Sequence, residues 1–110
     1  MPTEYGITLG NGAILAALQV ATGVAPISIG KPEPIMYQQA MLLLGADPAE
    51  TVAIGDRLET DILGAIRADI RSVMVLTGVS TEDDLKTSDY QPTWVMPDII
   101  AVTHALQKMI

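Results

Sequence analysis

The sequence predicts an α/β domain built on a parallel sheet, and three features support that prediction. From residue 51 onward, short apolar segments rich in β-branched residues alternate with helix-like segments, strand first. The strand-like segments are short and apolar, which is typical of strands buried in a parallel sheet. The chain has 110 residues, which suits one domain with a core of its own.

The first quarter of the chain is predicted to be loop, helix and link. Residues 1–10 contain Pro and Gly breakers and are predicted to be a loop. Residues 11–22 have a helical spacing of apolar side chains, and Gly23 stands where such a helix would end. Residues 25–29 are predicted to be a short strand or an extended link.

A proline-rich turn leads into a second helix. The segment Gly-Lys-Pro-Glu-Pro at 30–34 interrupts regular structure, but its last Pro suits the first turn of a helix. A helix is therefore predicted over about 34–44, ending at Gly45. The segment 47–50 has the capping Asp, the Pro and the Glu of a one-turn helix start.

The remainder of the chain carries the predicted sheet. The predicted strands are 51–54, 72–76 and 93–96. The predicted helices are about 60–68, a short acidic helix after residue 80, and a last helix that opens at 97–98. In sheets of this type, ligands bind at the carboxyl ends of the strands.

Composition excludes several classes of function. There is no Cys and one His, so disulfides and thiolate metal sites are excluded, and any metal is expected to be a hard cation on carboxylates. The net charge of −7 argues against nucleic acid as a partner. No apolar run approaches the ~20 residues needed to span a bilayer, and the first residues lack signal-peptide features. We expect a cytoplasmic protein with no membrane partner.

The strongest local motif is Gly-Asp-Arg-Leu-Glu-Thr-Asp at 55–61. Asp56 follows a buried strand, and Asp61 comes five residues later, at the start of the next helix. Carboxylates placed in this way can share a hard cation, one directly and one through water. The alternative is structural: a turn Asp followed by a helix cap from Thr60 or Asp61. The heptapeptide by itself leaves both interpretations open.

Lys31 is the second candidate. It stands at a sharp break before Pro32, and the rigid Pro limits the backbone of Lys31. A fixed ammonium beside carboxylates can hold a phosphoryl group or balance their charge. The alternative is a solvated loop lysine, which is the commoner role.

Four further features are weaker. Thr77 and Gly78 follow the second predicted strand and either line a pocket mouth or form a simple turn. His104 is expected to be a surface residue. The acidic run 82–84 is expected to be a solvated helix start rather than a metal cluster. Residues 10–12 lack the third Gly and the preceding strand of a dinucleotide-binding loop.

Taken in order, these segments resemble one family. GKPEP, TVAIGDRLETDILGA, SVMVLTGVS and PTWVMPDI look like the C-terminal half of phosphatases of the haloacid-dehalogenase (HAD) superfamily. The group that is most similar has a large α/β cap and includes p-nitrophenyl phosphatases and NagD-like proteins. The resemblance covers nearly the whole chain. It implies a partial Rossmann-like, three-layer core with parallel strands, preceded by the last helix of a cap domain.

The resemblance also implies roles for individual residues. Lys31 matches the catalytic, substrate-binding Lys that contacts the phosphoryl group and the nucleophile. Asp56 matches the acidic Mg2+ ligand, and Asp61 matches the second acid that supports the metal site. Phosphoryl transfer in this family passes through a separate nucleophilic Asp in a DxDG-type motif. No such motif is found in these 110 residues.

The departures from the family pattern suggest which part of a family member this chain corresponds to. We interpret residues 1–25 as a remnant of the cap and 26–110 as the C-terminal half of the core. The chain is expected to be a fragment, a truncated product or one piece of a split protein. Asp69 stands where the family usually has Gly, and we expect left-handed backbone there, which Asp tolerates better than most residues.

The sequence thus favours the metal- and phosphate-supporting part of a Mg2+-dependent phosphatase acting on small phosphate monoesters. Without a nucleophile the chain alone is expected to be inactive and to bind Mg2+ weakly or not at all. The alternative is a non-catalytic α/β association module derived from such a hydrolase. We expect a homo-oligomer or a missing N-terminal half as partner, because the strand 51–54 would otherwise be an unpaired edge.

Overall fold

The computed structural model describes residues 2–4, 6–7 and 9–109. Near its N-terminus two very short strands, β1 (Pro2–Thr3) and β2 (Gly6–Ile7), pair in antiparallel fashion. The prediction of a plain loop over residues 1–10 is therefore wrong at these strands, although residues 1, 5 and 8 lie outside the described residues. Gly6 has φ 119°, a backbone angle that favours Gly at a tight reversal.

The next two features agree with local sequence signals. Helix α1 (Asn11–Thr22) ends at Gly23, whose left-handed φ of 69° lets its N–H bond back to the helix. None of its residues is buried. The segment 24–29 is exposed and has no regular secondary structure, so the extended link is confirmed and the short strand is wrong. A strand needs a paired neighbour, and no described strand pairs with this segment.

Helix α2 (Ile35–Leu44) follows the proline turn and ends at Gly45, which is also left-handed, with φ 63°. Pro48–Glu50 forms a single 3-10 turn, and Asp47 caps it by accepting a hydrogen bond from the Ala49 N–H. The predicted one-turn helix start at 47–50 is therefore confirmed. Helix α2 and this 3-10 turn lead directly into the first strand of the sheet.

Three parallel strands form the described sheet in the order β3-β4-β5. They are β3 (Val52–Gly55), β4 (Arg71–Val75) and β5 (Trp94–Met96). The predicted strands differ from these by one residue at their ends. Since the strands are parallel, the segments that follow them meet at one edge of the sheet.

The crossover from β3 to β4 begins with a wide turn instead of a regular helix. Leu58–Ile62 is π-helical, and α3 (Leu63–Arg67) continues it as an α-helix. The predicted helix over 60–68 is therefore wrong in its first turn and begins too late. Asp69 has φ 58°, which confirms the expected left-handed backbone.

Two helices complete the chain. Helix α4 (Glu82–Thr87) has a capping box between Thr81 and Asp84. Helix α5 (Ile99–Met109) follows β5 and buries Val102. No helix among the described residues has the length and apolar character needed to cross a membrane.

The core lies mainly on one face of the sheet, where α2, α3 and the π-helical turn pack. One cluster joins α2 and α3 to β3, and a second joins the π-helical turn to β4. The side chains of Ile62 and Met74 in the second cluster have no exposed surface. Helix α5 lies on the other face, so the predicted three-layer α/β architecture is confirmed.

That other face is incompletely covered. The exposed fractions of Val52 and Ile54 are 41% and 45%, and β3 is an edge strand of the described sheet. A cavity of about 730 Å³ lies between this face and α5, and Trp94, Met96 and Leu106 are among its lining residues. The predicted apolar edge at 51–54 is thus present among the residues that the structure describes.

Candidate functional site

The candidate site lies where the segments after β3 and β4 meet the proline turn before α2. Asp56 directly follows β3, and Asp61 lies in the π-helical turn after it. Lys31 reaches the same place from the turn, where the Lys31–Pro32 peptide bond is cis. The three residues predicted from sequence are therefore brought together at the carboxyl edge of the sheet, the usual ligand position in this architecture.

An ion pair links Lys31 to the π-helical turn. The Lys31 Nζ donates a hydrogen bond to Asp61 Oδ1. The side chain of Asp61 is 11% exposed and that of Lys31 is 39% exposed, so the pair is partly shielded from water. The alternative of a solvated loop lysine is therefore only part of the account, because Lys31 is exposed but is paired with Asp61.

The pair alters the ionisation of both groups. Burial favours the neutral acid, but the hydrogen bond and charge of Lys31, with two backbone N–H groups, hold the pKa of Asp61 below its ordinary value. The hydrogen bond to Asp61 raises the pKa of Lys31 against the opposing effect of burial, and the charge of Asp56 adds a smaller increase. At neutral pH the site therefore holds a carboxylate and an ammonium.

Both oxygens of Asp61 are engaged. While Oδ1 accepts from Lys31, Oδ2 accepts from the backbone N–H groups of Asp56 and Arg57, each at 3.2 Å. A Cβ built on Gly55 would overlap the Asp61 side chain, so Gly55 leaves the space that this carboxylate occupies. The N-cap residue of the turn is Arg57 and not Thr60 or Asp61, so the predicted cap position is wrong. Asp61 nevertheless accepts the Arg57 N–H at the start of this turn, so the structural alternative is confirmed in part.

Tyr37 on α2 supports the same turn and was missed by sequence reasoning. Its hydroxyl donates to the Asp61 carbonyl oxygen at 3.0 Å, and its ring lies against Gly64, where a Cβ would be 3.0 Å from the ring. Burial, and then the negative charge of Asp61, raises the pKa of Tyr37. No sequence signal points to it, because the contact joins residues 24 positions apart.

Asp56 is held from the opposite side by the loop after β4. Its Oδ2 accepts from the Val79 N–H at 2.9 Å, and its carbonyl accepts from the Ser80 N–H at 3.0 Å. The buried Ser80 Oγ accepts from the Leu58 N–H at 2.9 Å. Ser80 was not singled out from the sequence, whereas Thr77 and Gly78 were considered as part of this rim.

The weaker sequence candidates do not join the site. His104 is exposed on α5, as expected. In the run 82–84, Asp84 is used by the capping box, and Asp83 pairs with Lys86 at the surface. This run is a solvated helix start, as expected. Residues 10–12 form the entrance to α1, where Gly10 occupies the N-cap.

The carboxylate oxygens of this site supply some, but not all, of the ligands that a hard cation needs. The described hydrogen bonds to the Asp56 carboxylate involve Oδ2 alone, whereas both Asp61 oxygens are occupied. Across residues 2–4, 6–7 and 9–109, no group of three or more acidic or His side chains could hold a metal ion. Mg2+ prefers near-octahedral oxygen ligation, so these residues account for only part of a ligand set.

A family model described as HAD-hydrolase-like matches residues 28–102. The chain belongs to the HAD-hydrolase-like family. An acid sugar phosphatase from Staphylococcus saprophyticus subsp. saprophyticus is 39% identical over 108 residues, which are 98% of this chain and 42% of that protein. The match confirms the HAD resemblance that the sequence motifs predicted.

Solved structures agree with this assignment. A 4-nitrophenylphosphatase from Thermotoga maritima has a TM-score of 0.81 at 31% identity, over 97% of this chain and 41% of that one. NagD from E. coli K-12 has a TM-score of 0.74 at 36% identity, over 80% and 35% of the two chains. The predicted NagD-like, p-nitrophenyl phosphatase-like group is therefore confirmed. This HAD-family chain spans about two-fifths of the length of the relatives it matches.

Proposed function

We propose that this HAD-family chain contributes the phosphate- and metal-supporting part of a phosphatase that hydrolyses small phosphate monoesters. The observation that carries the proposal is the Lys31–Asp61 ion pair beside Asp56 at the carboxyl edge of the sheet. Relatives named acid sugar phosphatase and 4-nitrophenylphosphatase support the reaction class. In this proposal the nucleophilic carboxylate comes from polypeptide other than these 110 residues.

Lys31 is the residue proposed to contact the phosphoryl group. Asp61 keeps its ammonium charged and limits the positions that the flexible side chain can occupy. A charge held in place in this way stabilises negative charge developing on phosphoryl oxygens, and does so more strongly in a site shielded from water. Asp61 is therefore proposed to support the site through Lys31 and through the backbone of Asp56 and Arg57.

Asp56 is proposed as the Mg2+ ligand of this chain. Mg2+, when bound, would neutralise phosphoryl oxygens and help to align them. Because Asp61 is fully engaged, its proposed part in the metal site is indirect, through water or through the placement of Asp56. With one available carboxylate, the chain alone is expected to bind Mg2+ weakly.

The division of the chain is also proposed. Residues 1–25 are assigned to a cap remnant and 26–110 to the C-terminal half of the core. The family match, which begins at residue 28, supports this boundary, as does the lack of buried residues in α1.

The test is complementation. The chain would be mixed with the portion of the S. saprophyticus acid sugar phosphatase that lies outside the matched region, and Mg2+-dependent hydrolysis of p-nitrophenyl phosphate would be followed. We expect no turnover from either piece alone and turnover from the mixture. Lys31→Ala and Asp56→Asn should each abolish most of it, because they remove the proposed phosphate and metal contacts.

The exposed pair on α4 supplies matched controls. Lys86→Ala and Asp83→Asn change the same residue types at side chains that are 75% and 90% exposed, so turnover should persist. Turnover that survives Lys31→Ala unchanged would remove Lys31 from the proposed mechanism. Full turnover by the chain alone would contradict the need for a second piece.

The second candidate function is association without catalysis. It is favoured by the exposed Val52 and Ile54 on edge strand β3, since natural edges are usually protected by charges or Pro. Both candidates predict assembly, either as a homo-oligomer or with a partner half. Light scattering at micromolar concentration should show a mass above 11.7 kDa, and Ile54→Lys should lower it. A sharply melting monomer would contradict this expectation, and complementation separates the two functions.

A further inference from the structure

The loop after β4 is bonded to the segment after β3 at three points. Val79 donates to the Asp56 carboxylate at 2.9 Å, and Ser80 donates to the Asp56 carbonyl at 3.0 Å. In return, the Leu58 N–H donates to Ser80 Oγ at 2.9 Å. Ser80 is only 3% exposed, so water competes poorly for its bonds. The ends of two neighbouring strands are thereby joined through residues 22 or more positions apart.

Gly78 occupies a position in this loop that no other residue fits without movement. A Cβ built there would overlap Oδ2, Cβ and Cγ of Asp56. Its φ lies outside the left-handed region, so space rather than backbone conformation requires Gly. The contrast within the chain is clear, because a Cβ on Gly12 or Gly30 would meet nothing within 4 Å.

The carboxylate of Asp56 therefore rests between a bare Cα and a backbone N–H. The Val79 N–H fixes the direction of Oδ2, and Gly78 provides the space in which the carboxylate lies. The hydrogen bonds between Ser80 and the segment 56–58 keep this loop in place. A side chain at residue 78 would occupy the volume that Oδ2 needs, and it would push the carboxylate out of line with the Val79 N–H.

We propose that the loop Gly78–Ser80 positions the Asp56 carboxylate, and that Gly78 and Ser80 are positioning residues for it. This inference rests on the proposed function for its relevance to metal binding. It assigns to the loop the task of turning Oδ2 inward, so that Oδ1 is the oxygen offered to a cation. Thr77 and Gly78 were predicted either to line a pocket mouth or to form a simple turn. The proposal gives Gly78 a more specific role, which is to leave space for the Asp56 carboxylate.

The first test needs no metal. In NMR spectra of the full chain, three-bond couplings should show one χ1 rotamer for Asp56, and the Val79 amide should exchange slowly. Gly78→Ala should mix the rotamers and speed Val79 exchange on the order of tenfold, since the loss of a hydrogen bond is worth about that factor. Asp56→Ala should speed Val79 exchange similarly.

Gly12→Ala in α1 is the matched control, because it makes the same substitution at another Gly. A Cβ on Gly12 would meet nothing within 4 Å, so the Asp56 rotamer and the Val79 exchange rate should stay as in the wild type. A folded Gly78→Ala variant that keeps the single Asp56 rotamer and slow Val79 exchange overturns the proposal. If Gly78→Ala does not fold, the Asp56 rotamer is measured in Ser80→Ala instead. An unchanged rotamer in that variant also overturns the proposal.

The second test uses Mg2+ alone, titrated to tens of millimolar while the Asp56 and Arg57 amide shifts are followed. Wild type and Gly12→Ala should respond equally, Asp56→Asn should lose the response, and Gly78→Ala should need on the order of tenfold more Mg2+. A response lost in Asp56→Asn but unchanged in Gly78→Ala overturns the positioning role. A response that is absent, or that persists in Asp56→Asn, counts against the proposed metal ligand and leaves the rotamer result to decide the loop's role.

Discussion

Helix α1 and the turn between β3 and α3 are both regular structures, but they differ in what they touch. Helix α1 has no buried residue, and its Ile14 and Leu18 are 48% and 55% exposed. In the π-helical turn, Ile62 is completely buried, and Asp61 is bonded to three separate segments. Local sequence signals suffice to form a helix, whereas only the second region has the contacts that stabilise a fold and build a site.

The largest expected difference between the regions is in the core. Ile62→Ala should lower the free energy of unfolding by about 2–5 kcal/mol, because it leaves a cavity beside Met74. Ile27→Ala makes the same chemical change in the segment before α2, where Ile27 is 84% exposed, and should change it by less than about 0.5 kcal/mol. Urea denaturation measures both. Equal effects would show that the N-terminal segment is packed as tightly as the core.

The next effect concerns the two Lys–Asp ion pairs. Asp61→Asn removes the charge that Lys31 contacts and weakens the acceptor for two backbone N–H groups, so we expect a loss of about 1–3 kcal/mol. Exposure of Lys31 places the value toward the lower end. Asp83→Asn breaks the exposed pair with Lys86 and should cost at most about 1 kcal/mol. Similar losses in the two variants would contradict the contrast between shielded and exposed pairs.

The same carboxylate predicts a pH dependence. Its pKa is lower in the folded chain than the ordinary value, so its stabilising contribution is present above about pH 4 and is lost as pH falls through the folded pKa. The contribution of Lys31 to stability is lost at high pH instead. Its pKa is raised in the folded chain, so this contribution disappears only as the pH rises through that pKa. The difference in unfolding free energy between wild type and Asp61→Asn should therefore shrink between pH 6 and pH 3. A constant difference would mean that the Asp61 charge does not contribute.

The smallest effect should be confined to α1. Gly10 has the extended backbone of an N-cap but no side chain to accept a helix N–H. Gly10→Ser should stabilise α1 by a few tenths of a kcal/mol, roughly the gain of a capping hydroxyl over Gly. Carbon chemical shifts over 11–22 should become more helical while the urea midpoint of the core stays constant. A midpoint that rises by the same amount would show that α1 and the core unfold together.

Much of the secondary structure was predictable because its signals are local. Helix α1 has the predicted bounds, Gly23 and Gly45 end their helices in left-handed geometry, and Asp69 adopts the left-handed backbone expected of it. The three strands lie within a residue of their predicted positions, since short apolar segments between breakers have few alternatives in an α/β chain. The candidate site residues Lys31, Asp56 and Asp61 were also named from motif order, and their roles stay predictions.

Only the tertiary structure decided how those residues are held. Asp61 engages both oxygens within a π-helical turn, Tyr37 supports that turn from α2, and the loop at 78–80 orients Asp56. These contacts join segments that are distant along the chain, and no periodicity or spacing in the sequence encodes them. Apolar patterning determines which segments enter the sheet, but the direction of a carboxylate depends on which backbone N–H groups and which bare Cα the fold places beside it.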